Sequence, residues 1–155
     1  MAEKQLLIIA HVPSENTQSL LDSVVMGAKS ILSDSISIAV RTPFKTAENE
    51  ILRSEGLILL TTENLGYMSG ALKDFFDRIY YPCLDRTQGL PYALIIRAGY
   101  DGTGTQRAVE SITGGLRWKL VQAPLICRGK WRPDFKDQCK EFGAAMAAGL
   151  DLGVF

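Results

Sequence analysis

Residues 56–79 read GLILLTTENLGYMSGALKDFFDRI. The first six, Gly56–Thr61, form a nearly continuous apolar run, the mark of a strand buried on both faces, as in a parallel sheet. Further on, Ala71, Leu72, Phe75, Phe76 and Ile79 recur at i, i+1, i+4, i+5 and i+8, the single apolar stripe of a helix laid on a sheet. Between them lies a connection, Thr61–Gly70, that is long for a strand-to-helix turn. It is not purely hydrophilic: Leu65, Tyr67 and Met68 must cover either core or a flat ligand. Ser69 is placed to cap the helix, Gly66 permits a positive φ, and Lys73 and Asp77, four apart, can pair on the helix surface.

The same alternation runs outward in both directions. Further strands are expected at Gln5–Ala10, Ser35–Val40, Tyr92–Ala98 and Leu120–Cys127. The runs LLIIA and ALII are again continuous, whereas SISIAV alternates, as an edge strand does. Amphipathic stripes mark helices at Leu20, Leu21, Val24, Val25, Ala28, Ile31 and Leu32, at Ala108, Val109, Ile112 and Leu116, and at Phe135, Cys139, Phe142, Ala145 and Met146, with a short helix over Ala47–Ser54. Five strand–helix units imply a three-layer α/β fold: a five-stranded parallel sheet with right-handed crossovers and helices on both faces. The strand count matches the doubly wound order 2-1-3-4-5, in which a ligand binds beyond the carboxyl ends of the strands at the switch in order. That places any site in the loops after strands 1, 3 and 4. Residues 1–155 carry no linker, repeat or low-complexity tract and are expected to form one domain.

Composition narrows the function. Seventeen Lys and Arg against seventeen Asp and Glu give zero net charge, so nothing draws the chain as a whole to nucleic acid or anionic membrane. It also lacks the acidity with which an electron carrier docks on basic partners. Hydrophobic residues at 46% and charged residues at 22% exclude a disordered chain. The single histidine, His11, excludes a His-rich metal site, and Cys83, Cys127 and Cys139 have no zinc spacing. Three scattered cysteines with no C-x-x-C fit a reducing, cytoplasmic setting. The apolar run Leu6–Ala10 is too short to span a membrane.

The chemistry is expected in three loops. The first runs His11-Val12-Pro13-Ser14-Glu15-Asn16-Thr17 into a helix. Ser14, Asn16 and Thr17 either cap that helix or help its free N–H groups hold a phosphate. Neither G-x-x-x-x-G-K-[ST] nor G-x-G-x-x-G occurs in this loop, which excludes a P-loop site and weakens classical dinucleotide binding. The second loop is Thr61–Gly70. The third, Gly99-Tyr100-Asp101-Gly102-Thr103-Gly104-Thr105, either exposes backbone N–H groups to a ligand or is a flexible turn with Thr105 capping the next helix.

Together these loops resemble those of the flavodoxin-like superfamily, most closely its NAD(P)H-dependent FMN reductase and quinone oxidoreductase branch. The most specific match is Gly66-Tyr67-Met68-Ser69-Gly70-Ala71-Leu72-Lys73-Asp74-Phe75-Phe76-Asp77. The turn ending Asn16-Thr17 is similar to the family's phosphate loop, and the likeness spans nearly the whole chain. It implies a flavodoxin-like fold with FMN as cofactor and NADH or NADPH as reductant. It further implies a quinone or similar small electron acceptor, and a homodimer or homotetramer. His11, Ser14, Asn16 and Thr17 would hold the flavin phosphate. Glu63, Asn64, Leu65, Gly66, Tyr67 and Met68 would wrap the isoalloxazine ring, largely with backbone groups. Gly99, Tyr100, Asp101, Gly102 and Gly104 would face its pyrimidine side. The chemistry would be the flavin's own, with no catalytic side chain and no metal. Glu15 departs from the pattern: it stands where many relatives carry glycine, and a carboxylate turned toward a phosphate repels it.

Two further features bear on function. Tyr80-Tyr81-Pro82 end the third helix as surface or subunit-contact residues. Arg128, Lys130, Trp131 and Arg132 form a basic-aromatic loop after the fifth strand, either solvated or a clamp for phosphate or an acidic substrate. Three readings stay open at this point: the oxidoreductase, a flavodoxin-type electron carrier with no substrate reaction of its own, and a flavin-free interaction module.

Overall fold

The continuous apolar runs lie at the centre of a parallel sheet in the computed structural model, which describes residues 3–155. The strands are β1 (Lys4–Ala10), β2 (Ile36–Arg41), β3 (Gly56–Asn64), β4 (Tyr67–Met68), β5 (Pro91–Ala98), β6 (Lys119–Leu120) and β7 (Leu125–Arg128). The helices are α1 (Glu15–Lys29), α2 (Glu48–Leu52), α3 (Gly70–Cys83), α4 (Thr103–Leu116) and α5 (Asp134–Leu152), and a 3-10 turn covers Pro43–Lys45. β1 pairs in parallel with β2 and β3, and β3 with β5. β5 in turn pairs in parallel with both β6 and β7.

This is the expected 2-1-3-4-5 order with two differences. The fifth position is shared by two short strands, because the single strand anticipated at Leu120–Cys127 is interrupted at residues 121–124. Pro124 has no N–H to give a ladder, so β6 pairs with the start of β5 and β7 with its end. The second difference is β4. The chain leaves the sheet as a prolonged β3 and folds back antiparallel, Glu63 against Met68 and Asn64 against Tyr67. The expected loop is therefore a hairpin, turned by Leu65 (φ 54°) and Gly66 (φ 74°).

Side-chain alternation divides the sheet's two faces. Leu6, Ile8, Ile58, Leu60, Ala93 and Ile95 face α1 and α5. Leu7, Ile9, Leu57, Leu59, Leu94 and Ile96 face α3 and α4. Nearly all are fully buried, as a sheet covered on both sides requires. The helix stripes fall where the spacing placed them, with two shortfalls: α1 stops at Lys29, so Leu32 is 96% exposed rather than part of the stripe, and Ala145 of the α5 stripe is exposed. Ser30 closes that end, its hydroxyl donating to Gly27 O at 2.6 Å. The short helix α2 occupies only Glu48–Leu52 of the expected Ala47–Ser54.

α1 and α5 cross at backbone contact. A Cβ on Gly27 would stand 1.9 Å from Lys140 O, and one on Gly143 would stand 2.2 Å from Val24 O. Beneath them Cys127 and Cys139 pack in the core. The hydrogen bond from Cys139 draws the Cys127 thiol below its ordinary pKa and holds Cys139 above its own. No helix among the described residues is long and apolar enough to cross a membrane.

Candidate functional site

Parallel strands deliver their carboxyl ends to one edge of the sheet, so the loops after β1, β3 and β5 come together there. After β1, His11 N–H still bonds Leu60 O at 3.0 Å, tying the loop's start to β3. Burial lowers the His11 pKa below its ordinary value. Ser14 then closes a capping box: its Oγ accepts from Thr17 N–H at 3.2 Å, and Thr17 Oγ1 accepts from Ser14 N–H at 3.1 Å. Both hydroxyls are thus engaged in starting α1, and Thr17 is buried. Among the described residues, the N–H groups of Val12, Glu15 and Asn16 have no acceptor. Three free amides at the positive end of a fifteen-residue helix are suited to an anion. The side chains of Glu15 and Asn16 are exposed.

The hairpin after β3 is locked to the loop after β5 from several directions. The Glu63 carboxylate takes Tyr100 N–H on one oxygen and Gly102 N–H on the other, both at 2.9 Å. Thr105 Oγ1 donates to Tyr67 O at 2.8 Å. Thr61 and Ser69, both buried, share a bond at 3.2 Å beneath the hairpin, and Ser69 caps α3 by accepting Leu72 N–H. Met68 is buried in the α3/α4 core, so of the three apolar residues of this segment it covers core. Leu65 is fully exposed, Tyr67 is 41% exposed and Asn64 faces solvent. A leucine in the left-handed region, where hairpins of this kind favour Asn or Gly, is strain held at the rim of the site.

The third loop differs from expectation at its end. α4 begins at Thr103, not at a cap on Thr105, and the Asp101 carboxylate accepts from Thr103 N–H and Oγ1 at 3.1 and 3.0 Å. Those bonds hold Asp101 below the usual carboxylate range. Tyr100 projects into solvent, 86% exposed. Glu63 occupies two of the loop's donors, while Gly99 N–H has no acceptor among the described residues. The space over Gly99 is open, with no atom within 4 Å of a built Cβ.

The candidate cofactor residues lie along this edge, but not in one role, whereas Tyr80, Tyr81 and Pro82 lie at the far end of α3. Ser14 and Thr17 cap α1 and Met68 packs in the core; the backbone amides at Val12, Glu15, Asn16 and Gly99 have no acceptor among the described residues. Two residues named from the sequence take bonds that the sequence did not suggest. Thr105 bonds across to Tyr67, and its signal was a buried position on the α4 stripe. Arg128, at the end of β7, donates Nε–H to Asp101 O at 2.6 Å and braces the third loop from its far side. Where the hairpin meets α4, a Cβ on Gly104 would stand 2.3 Å from Gly66 O. Gly104→Ala is therefore expected to displace the hairpin and cost roughly 1–3 kcal/mol. Faster amide exchange at Tyr67 and Met68, measured by hydrogen–deuterium exchange, checks it; unchanged protection there would contradict the docking.

No family model matches the chain, and no curated protein matches it. Solved structures do. A flavodoxin from the domain Archaea superposes with a TM-score of 0.79 at 15% identity, covering 95% of this chain and 99% of that one. A WrbA-like flavodoxin from Agrobacterium tumefaciens gives 0.71 at 12% identity, over 97% and 99%. An oxidoreductase from Corynebacterium diphtheriae gives 0.67 at 16%, over 95% and 96%. At these identities the likeness is one of fold: the chain has the flavodoxin-like fold, with its hairpin and divided fifth strand as local features.

Proposed function

We propose that the chain is an FMN-binding oxidoreductase that passes electrons from NADH or NADPH to a quinone or similar small acceptor. The observation that carries this reading is the set of acceptor-free amides at Val12, Glu15, Asn16 and Gly99, placed at the switch point of a flavodoxin-like sheet. These groups fit the ligand. The three at α1 suit a phosphate, and Gly99, open above, suits the polar edge of a flat ring. FMN, when bound, supplies hydride acceptance and electron transfer. The chain's own residues bind and orient it. The α1 amides anchor the anionic end, the Glu63-braced loop sets the wall on the ring side, and Leu65, Tyr67 and Tyr100 offer apolar surface at the rim. The neutral overall charge favours an enzyme over a carrier that docks on basic partners.

A titration with FMN and riboflavin tests the reading. FMN is expected to bind at micromolar concentration or tighter and riboflavin at least roughly tenfold more weakly, the difference being the charge-assisted bonds to phosphate. His11 gives a second readout. Burial holds its folded-state pKa below the ordinary value near 6.5. The unfolded chain therefore takes up the proton first, and stability falls as pH drops through that value. A phosphate dianion at the α1 loop should raise the His11 midpoint in an NMR titration. Absence of FMN binding would leave the flavin-free module, a reading that the occupation of Tyr100 and Gly102 N–H by Glu63 itself favours. FMN binding without NADH or NADPH oxidation would leave the electron carrier.

A further inference from the structure

Beside the proposed flavin site, the loop after β7 carries Arg128, Lys130 and Arg132. Arg41, Arg78 and Arg117 each meet a carboxylate, at 2.9, 2.8 and 2.6 Å. Among the described residues, Arg97, Arg128 and Lys130 make no ion pair, and Arg132 has only the exposed Asp134 at 3.4 Å. Asp101, in the loop after β5, bonds Thr103 through its carboxylate and attracts Arg128 through space without a direct ion pair.

The three arginines among these cations are held in place. Arg97 donates through Nη1 to Ala98 O at 2.9 Å and Cys127 O at 3.0 Å, and its guanidinium lies 5.9 Å from the Trp131 ring centre and 5.3 Å from that of Phe135. Arg132 lies 4.8 Å from the centre of the same Phe135 ring. Arg128 is fixed by its Nε bond to Asp101 O, and the two terminal nitrogens of its fork have no acceptor among the described residues.

We infer that Arg128, Lys130 and Arg132, all exposed on the loop after β7, form a subsite for the 2′-phosphate of NADPH. This rests on the reading of the neighbouring site as an NAD(P)H-dependent flavin site. Guanidinium forks suit phosphate oxygens in pairs. The patch is small: five residues span at most roughly 17 Å, the reach of one nucleotide. A stable protein interface needs about 800 Å² and some 20–30 residues on each side, so an acidic protein partner is the poorer match. The subsite adjoins the Asp101 backbone that Arg128 grips, so a nucleotide held there lies next to the loop assigned to the ring.

The test uses 2′,5′-ADP, which carries the 2′-phosphate without the nicotinamide, titrated by calorimetry against the full chain with and without FMN. It should bind more tightly than 5′-AMP, with an affinity that weakens as salt rises. Lys130→Gln/Arg132→Gln, in residues outside the flavin contacts, should weaken 2′,5′-ADP by roughly tenfold or more and leave FMN affinity within about twofold. Lys130→Glu alone, at an exposed position, should act in the same direction if the double variant is poorly folded. Equal affinity of variants and parent for 2′,5′-ADP, or no preference over 5′-AMP, overturns the subsite. Tighter binding of poly-glutamate than of 2′,5′-ADP overturns it in favour of an acidic protein. Failure of FMN to bind refutes the flavin reading separately, because the nucleotide titration of the flavin-free chain still reports on this loop.

Discussion

Gly27→Ala is expected to lower stability by roughly 3 kcal/mol or more, even though alanine is intrinsically the better helix former by about 1 kcal/mol. A Cβ there would stand 1.9 Å from Lys140 O and 2.7 Å from Lys140 C. Both are backbone atoms that no side-chain rotation can move, so α5 itself must shift. At about 2–4 °C per kcal/mol for a chain of this size, the melting temperature should fall by roughly 6–12 °C, measured by circular dichroism. Gly114→Ala is the control: its Cβ meets nothing within 4 Å, and stability should hold or rise slightly. Equal melting temperatures for Gly27→Ala and the parent would show that the helices separate at negligible cost.

Glu63→Ala removes both acceptors of the clamp in one step. Hydrogen bonds to an ionised group are worth about 1.5–3 kcal/mol when shielded, and less where water reaches them, as it does at Tyr100. Amide exchange at Tyr100 and Gly102 should accelerate by tenfold or more, a change that corresponds to about 1.4 kcal/mol of local stability. Glu63→Gln keeps one acceptor oxygen and should lie between. If the clamp shapes the flavin wall as proposed, FMN affinity falls in the same order, by roughly tenfold for alanine. A gain in FMN affinity instead would show that the carboxylate competes with the ring for the two amides.

Much of this arrangement is legible in the chain because it depends on local patterning. LLIIA, LILL and ALII can be read as doubly buried strands without any tertiary knowledge, and SISIAV falls at the edge where its alternation puts it. The three site loops follow from strand order alone. What escaped has non-local causes. The hairpin at 63–68 requires leucine in a conformation that single-residue preference disfavours, and it persists because Glu63 and Thr105 hold it to residues some 37–39 positions away. The split of the last strand turns on one missing N–H at Pro124. That Ser14 and Thr17 cap α1 is visible only in their mutual bonds at 3.0–3.2 Å.

The backbone contact between α1 and α5 also bears on how the protein is made. The face of the sheet covered by α3 and α4 can close as β1 to α4 are synthesised, since its parts follow one another along the chain. The opposite face cannot: α1 leaves the ribosome early, and its partner α5 follows only after roughly a hundred further residues have been added, a long-range closure of the kind that slows folding. Until then Leu20, Val24 and the apolar row Leu6, Ile8, Ile58 and Leu60 lack their cover. A nascent chain stalled before residue 134 should thus display a half-finished sheet to chaperones, and release of α5 is the step that withdraws it from them.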